Sequence, residues 1–292
     1  MRSAPILLAG WLLLPLAAGA DAPRSVRTGI YNLEVQGGLE GNLALARKGG
    51  FGLAMIGAFD QQLDMIGAAG MKAVVALWLD AEAAKSPDKE KWEDAKAKIK
   101  EKVERLKSHP ALYAWYVVDE PDGDAFPIAK LAEARDLIRS IDARTPLLAV
   151  FDKPREWAAY FPYFDIVCVD PYLRRRRIRG GYETPAVVTE WLKIAKQDMA
   201  KLGGERKLCA VLGAFDIRAK DAGETPGYRK PTPGEFKEMT ARSLAEGVDE
   251  IYVYAYALDG GKKSLPWLLP KDDSKLWQSV QESMRALARA AK

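Results

Sequence analysis

Eight short apolar runs, separated mostly by longer segments whose apolar residues recur three and four apart, constrain this chain more than any other feature. The runs are Val26–Leu33, Phe51–Ala58, Lys72–Leu79, Leu112–Val118, Pro146–Phe151, Asp165–Val169, Lys207–Gly213 and Glu250–Tyr256. Nearly continuous apolar runs of this length suit strands of a parallel sheet, buried on both faces. Between and after them, Trp92–Leu106, Ile128–Ile141, Val187–Leu202, Phe236–Ala245 and Leu276–Leu287 show helical periodicity. The expectation is a helix after every strand. Gly70, Gly203 and Gly247 follow helical segments, where a left-handed residue ends a helix, and Thr232-Pro233-Gly234-Glu235 has the form of a helix start. Eight strand–helix units predict an α/β fold, a single-domain (β/α)8 TIM barrel, for which about 250 residues is typical. A doubly wound open sheet competes, but it wants a glycine-rich phosphate turn after its first strand. Here that strand ends Tyr31-Asn32-Leu33-Glu34.

The first twenty residues stand apart. Arg2 supplies a positive start, Ile6 to Ala18 are almost wholly apolar, and Ala18-Gly19-Ala20 forms a small-residue cleavage site. This predicts a signal peptide over residues 1–20 and an exported barrel domain over 21–292, in the periplasm or outside the cell. The apolar run is short for a membrane span, so no stable membrane insertion is expected after cleavage. A net charge of +4 over 292 residues gives no argument for nucleic acid. The two cysteines, Cys168 and Cys209, lie in apolar runs expected to be neighbouring parallel strands. A bridge is hard to reach there, so two buried free thiols are expected, although an exported protein can pair its cysteines.

Residues at the carboxyl ends of barrel strands share one face, where such folds place their sites. Here they are Tyr31, Asn32 and Glu34; Asp60; Trp78 and Asp80; Asp119 and Glu120; Asp152; Asp170 and Tyr172; Asp216; and Tyr254, Tyr256 and Asp259. The fourth run, ending Val117-Val118-Asp119-Glu120-Pro121, delivers two acids and then a proline that stops the strand. Carboxylates and aromatics dominate this face. Carboxyl pairs divide acid and base roles, and sugar rings stack on Trp and Tyr, so carbohydrate chemistry is the natural reading. About half of those aromatics, and Trp115 with them, read equally well as core.

The only histidine, His109, ends a long helix before Pro110 and belongs on the opposite face. Histidine-based triads and zinc sites are therefore unavailable; an all-oxygen calcium or magnesium site stays open, although no loop has an EF-hand spacing, and neither a cofactor nor a metal is expected. The loop after the sixth strand carries Arg174, Arg175, Arg176, Arg177 and Arg179, and the next loop carries Arg218, Lys220, Arg229 and Lys230. A solvated charged face is the plainer reading. The sharper one is contact with an anionic glycan through Arg174, Arg177 and Arg179.

The run Trp115-Tyr116-Val117-Val118-Asp119-Glu120-Pro121 resembles the Asn-Glu-Pro or Asp-Glu-Pro element that ends the fourth strand in TIM-barrel glycoside hydrolases. Phe164–Tyr172 is similar to their sixth-strand segment, and Lys207–Asp216 with Pro231–Tyr256 to their last two units. The resemblance implies that Glu120 is the general acid/base and that Asp119 helps hold the sugar beside the scissile bond. It also implies a glutamate nucleophile ending the seventh strand, where this chain reads Leu212-Gly213-Ala214-Phe215-Asp216. Asp170 or Asp216 then remains as second carboxylate. If Asp170 points inward, so do Cys168 and Ile166, a consistent barrel strand, which ranks Asp170 first. Tyr31, Asn32, Trp78, Tyr172, Asp216, Tyr254 and Tyr256 are the expected substrate contacts. The expected function is hydrolysis of a poly- or oligosaccharide. The alternatives are a non-catalytic glycan-binding barrel without its nucleophile and, further off, a lyase or metal-assisted enzyme. The sugar, the linkage and the oligomeric state are not legible in the sequence.

Overall fold

The structure is a computed structural model that describes residues 25–31, 39–122, 125–154, 156–174, 183–215, 227–254, 258–259, 262–263 and 273–290. Eight parallel strands close into a barrel in chain order: β1 (Arg27–Ile30), β2 (Leu53–Ile56), β3 (Lys72–Ala76), β4 (Leu112–Asp119), β5 (Leu147–Phe151), β6 (Ile166–Val169), β7 (Lys207–Gly213) and β8 (Glu250–Tyr254). Helices α1 (Leu39–Lys48), α2 (Asp60–Ala68), α3 (Ala81–Lys85), α4 (Lys89–Leu106), α5 (Ile128–Ile141), α6 (Ala186–Leu202), α7 (Pro233–Ala245) and α8 (Ser274–Ala290) accompany it. A two-stranded hairpin, Leu258–Asp259 with Lys262–Lys263, follows β8. The predicted signal peptide lies outside the described residues.

Alternation along each strand divides the apolar residues into two clusters. Ile166 and Cys168 of β6 point into the barrel with Met55, Tyr116, Val150, Val211 and Tyr252. Val167 and Val169 face the helices. The inward set is unusually aromatic, and Gly29 makes room for it. A Cβ at Gly29 would meet the Tyr252 ring at 2.2 Å, so β1 needs a residue without a side chain where that ring crosses the lumen. Helix ends follow the sequence signals. Thr232 and Glu235 form a reciprocal capping box at α7, and Gly203, at φ 65°, follows α6.

Two expectations fail. Among the described residues no α-helix joins β5 to β6. The segment folds into two three-residue 3-10 turns, Trp157–Ala159 and Phe161–Tyr163. Pro162 interrupts any helix there. Burial of Trp157, Phe161 and Phe164 covers the strand in place of a helix, with Phe161 and Phe164 edge-on to Phe151 at centroid distances of 5.0 and 5.8 Å. The cysteines are also not free thiols, because Cys168 and Cys209 form a disulfide. The register between β6 and β7 sets the two residues directly opposite each other and both point inward, which brings their Cα atoms to 4.3 Å. Adjacent parallel strands can thus be bridged when the register is zero and the side chains share a face.

At the amino-terminal end of the barrel, Glu250 is fully buried. It accepts hydrogen bonds from the hydroxyls of Tyr113 and Tyr252, and Lys207 and Arg27 each lie 3.9 Å away. His109 sits on that side too, bonded to Asp64 at 3.1 Å and to the backbone of Ala111, as a residue at a helix end.

Candidate active site

The carboxyl-terminal end of β4 places Asp119 and Glu120 at the mouth of the barrel. The Glu120 amide donates to the Val150 carbonyl at 3.0 Å, and its backbone turns left-handed, at φ 40°. Trp78, just past β3, is left-handed too, at φ 54°. For residues with a Cβ this conformation costs about 1 kcal/mol or more and is concentrated where function holds it. In Glu120 it breaks the strand's alternation, so consecutive acids both reach the site.

Glu120 is largely desolvated, and burial together with the negative charges of Asp119, Asp152 and Asp122 raises its pKa to about 7. Asp170 is 1% exposed, and burial beside Glu120 pushes its carboxyl well above the usual range. Among the described residues neither oxygen of Asp170 meets an N–H or O–H donor. Its contact is the Glu120 carboxyl, which becomes a hydrogen bond once one of the two carries a proton. Two like charges in contact cannot both ionise near neutrality. The more deeply buried Asp170 is the one that keeps its proton longest.

Asp119 accepts hydrogen bonds from the Tyr116 hydroxyl and, at 3.1 Å, from that of Tyr31, and the two hydroxyls lie 2.6 Å apart. Tyr31 packs edge-on against Tyr254 at 5.0 Å, and Tyr254 joins Tyr172, Phe215 and Tyr228 in an aromatic wall. Trp78 stands 5.4 Å from Tyr116 and is 49% exposed, which leaves a ring face for a ligand. The structure thus brings together Tyr31, Trp78, Asp119, Glu120, Asp170, Tyr172 and Tyr254. Phe215 and Tyr228 were not among the expected contacts. Their place in the wall depends on the β7 end and on the return of the chain to Arg174, across which Tyr228 forms a bridge.

The end of β7 has no room for a nucleophile at Gly213. A Cβ there would meet Phe215 at 2.7 Å and Tyr172 at 2.8 Å. Other acids on this face hold the fold: Asp60 pairs with Arg105, and Asp80 caps α3 through the Ala83 amide at 2.8 Å. Arg174 reaches the Asp152 carboxylate at 3.4 Å and lies over Trp191 and Tyr228 at 5.4 and 5.8 Å. Arg229 clamps Glu235, whose pKa falls to about 2, and Lys230 pairs with Asp273 at 2.8 Å. Those basic residues are engaged in structure. Asn32, Glu34, Asp216, Tyr256, Arg175, Arg176, Arg177, Arg179, Arg218 and Lys220 lie outside the described residues. Among the described residues no group of three or more His, Cys, Asp or Glu is arranged to hold a metal ion, and no helix is long and apolar enough to cross a membrane.

No protein-family model and no curated protein matches the chain. Solved structures do match in fold. The GH2 beta-galacturonidase from Eisenbergiella tayi, solved with galacturonate bound, superposes with a TM-score of 0.63 at 15% identity over 88% of this chain and 50% of its own. The endo-beta-1,4-mannanase from Thermotoga petrophila gives 0.61 at 10% identity over 94% of this chain and 78% of its own. The beta-galactosidase from the haloarchaeon Halorubrum lacusprofundi gives 0.64 at 13% identity over 90% of this chain and 58% of its own. This chain spans about half the length of the galacturonidase. At these identities the likeness shows the fold, and the fold is the (β/α)8 barrel that these glycoside hydrolases use.

Proposed function

We propose that the protein is an exported glycoside hydrolase, with a leader over residues 1–20 and a barrel domain over 21–292, acting on a poly- or oligosaccharide with Glu120 as general acid/base. The observation that carries this reading is the Glu120–Asp170 pair, a carboxyl held near pH 7 at the end of β4 beside an acid that is buried and, among the described residues, has no cationic partner. A carboxylic acid of that pKa keeps its proton on about half of the molecules at neutral pH and is still acidic enough to donate to a glycosidic oxygen. Asp170 acts through Glu120 as a positioning residue. A pair in contact cannot straddle a scissile bond, which needs carboxyls about 5 to 5.5 Å apart for retention or 6.5 to 9.5 Å for inversion. Trp78 and the tyrosine wall offer apolar ring faces to sugar. An anionic preference would rest on Arg177 and Arg179, since Arg174 already serves Asp152.

The second reading, a glycan-binding barrel without catalysis, is favoured by the closed end of β7. Reducing-end release by the purified protein from a panel of neutral and anionic polysaccharides, with Glu120→Gln beside it, separates the two. Hydrolysis lost in the variant supports the enzyme. Glycan binding that survives in both proteins, with no release by either, supports the binding protein. A preference for anionic over neutral polymers that fades with added salt would support the basic-loop contact.

A further inference from the structure

The amino-terminal end of the barrel carries a cavity of about 640 Å³ that the carbohydrate reading does not use. Five cations line it: Arg27 at the start of β1, Arg47 in the last turn of α1, Lys72 at the start of β3, and Arg285 and Arg289 on α8. They meet because α8 lies against the turn between α1 and β2. Gly50 in that turn is left-handed, at φ 94°, and a Cβ on it would meet the Arg285 amide nitrogen at 2.7 Å, so a glycine there lets the helix bring its arginines over the strand ends. Thr28 ties the turn to β1, its hydroxyl donating to the Gly50 carbonyl at 2.7 Å. Elsewhere arginines are matched with acids: Arg105 with Asp60, Arg139 with Asp165 and Arg229 with Glu235. In the cavity only Arg27 has an acid near it, Glu250 at 3.9 Å, which Lys207 shares. Arg285 bonds Gln281 and Arg289 bonds the Arg285 carbonyl, both on their own helix, and Lys72 donates to the Pro110 carbonyl. Among the described residues no carboxylate pairs with these three or with Arg47.

Cations in the last turns of α1 and α8 complement the helix dipoles, but each helix end is worth roughly half a negative charge, so the five cations keep an excess of roughly three positive charges over Glu250 and the two ends. A concave cleft lined by one sign of charge concentrates counter-charge, and an excess of this size matches a multiply charged anion better than a single carboxylate. Guanidinium forks pair bidentately with phosphate oxygens. We propose that this cavity binds a phosphate-bearing ligand through Arg47, Arg285 and Arg289, at the end of the barrel opposite Glu120. The site stands independently of the hydrolase reading, and a ligand held there leaves the candidate active site open. The recognised element is the phosphate, carried by a soluble phosphate or diphosphate ester or by the headgroup of an anionic phospholipid.

The test is isothermal titration of the purified protein with inorganic diphosphate, at constant ionic strength set with chloride. The expected result is saturable binding at one site per chain, unchanged in Glu120→Gln and in Arg135→Ala, an arginine of α5 outside the cavity. Arg285→Ala should weaken it by about tenfold or more, and the double variant Arg47→Ala/Arg285→Ala further. Both arginines are exposed, so an unaltered melting temperature is expected in the double variant. Flotation with phosphatidylcholine vesicles, with and without phosphatidylglycerol, distinguishes the sources. Retention only on vesicles with phosphatidylglycerol, lost in the double variant, assigns a lipid headgroup. Diphosphate binding without retention on vesicles assigns a soluble ester. Binding of neither diphosphate nor anionic vesicles, binding that the double variant leaves intact, or an equal loss in Arg135→Ala would overturn the inference.

Discussion

The barrel buries a carboxyl at each end, and the two are treated in opposite ways. At the amino-terminal end, burial raises the Glu250 pKa, and two tyrosine hydroxyls and two cations offset part of that push. At the other end, the neighbours of Glu120 are Asp119, Asp152, Asp122 and Asp170, and three of these add to the effect of burial. A group that only holds the fold together is given partners that stabilise its charge. One surrounded by its own kind is held ready to carry a proton, at a cost in stability, which is how catalytic carboxyls are tuned.

The largest expected effect breaks this contrast at the Glu120 end. Glu120→Gln should lower kcat by about 10²- to 10⁴-fold on any glycan the protein hydrolyses. The same variant should be more stable than the wild type at alkaline pH. Because the folded-state pKa of Glu120 lies above its ordinary value of 4.5, the wild type loses stability as pH rises from 4.5 through about 7. Glutamine does not, so a gain on the order of 2 kcal/mol is expected at pH 8 and little at pH 4.5, measured by urea unfolding.

Glu250→Ala should do the reverse. It strands the hydroxyls of Tyr113 and Tyr252 and the half-exposed Lys207, so a loss of about 2 kcal/mol is expected in urea unfolding, with kcat of the folded protein unchanged. Trp78→Ala tests the platform and should raise KM by about tenfold with kcat nearly intact, a loss of about 1 kcal/mol of ring stacking. A smaller effect separates roles within the pair. Asp170→Asn retains a donor towards Glu120 and should leave the alkaline limb of the pH–rate profile in place, whereas Asp170→Ala removes a hydrogen bond that lowers the Glu120 pKa and should move that limb upward. Equal shifts in the two variants would show that Asp170 acts through its charge.

Strand periodicity made the barrel legible, and strand ends made Asp119 and Glu120 legible, because both depend on residues close in sequence. Inward alternation on β6 also put Asp170 on the face of Glu120, which its contact with the Glu120 carboxyl matches. What escaped was set by register and by distant packing. The Cys168–Cys209 bridge depends on β6 and β7 pairing without offset, which no run of residues in either strand encodes. The left-handed turns at Trp78 and Glu120 occur in residues whose identity argues against them, and tertiary contacts hold them. Phe215 and Tyr228 join the wall through the fold of the last two units, and Arg229 and Lys230, legible only as positive charge, turn out to be tied to Glu235 and Asp273.

The most direct test of the account is a carbon-13 NMR titration of the Asp and Glu side-chain carboxyls in the wild type and in Glu120→Gln. The account predicts a resonance that titrates near pH 7 in the wild type and is missing from the variant. If every carboxyl of the wild type titrates below pH 5, Glu120 is an ordinary surface acid and cannot hold a proton for donation at neutral pH.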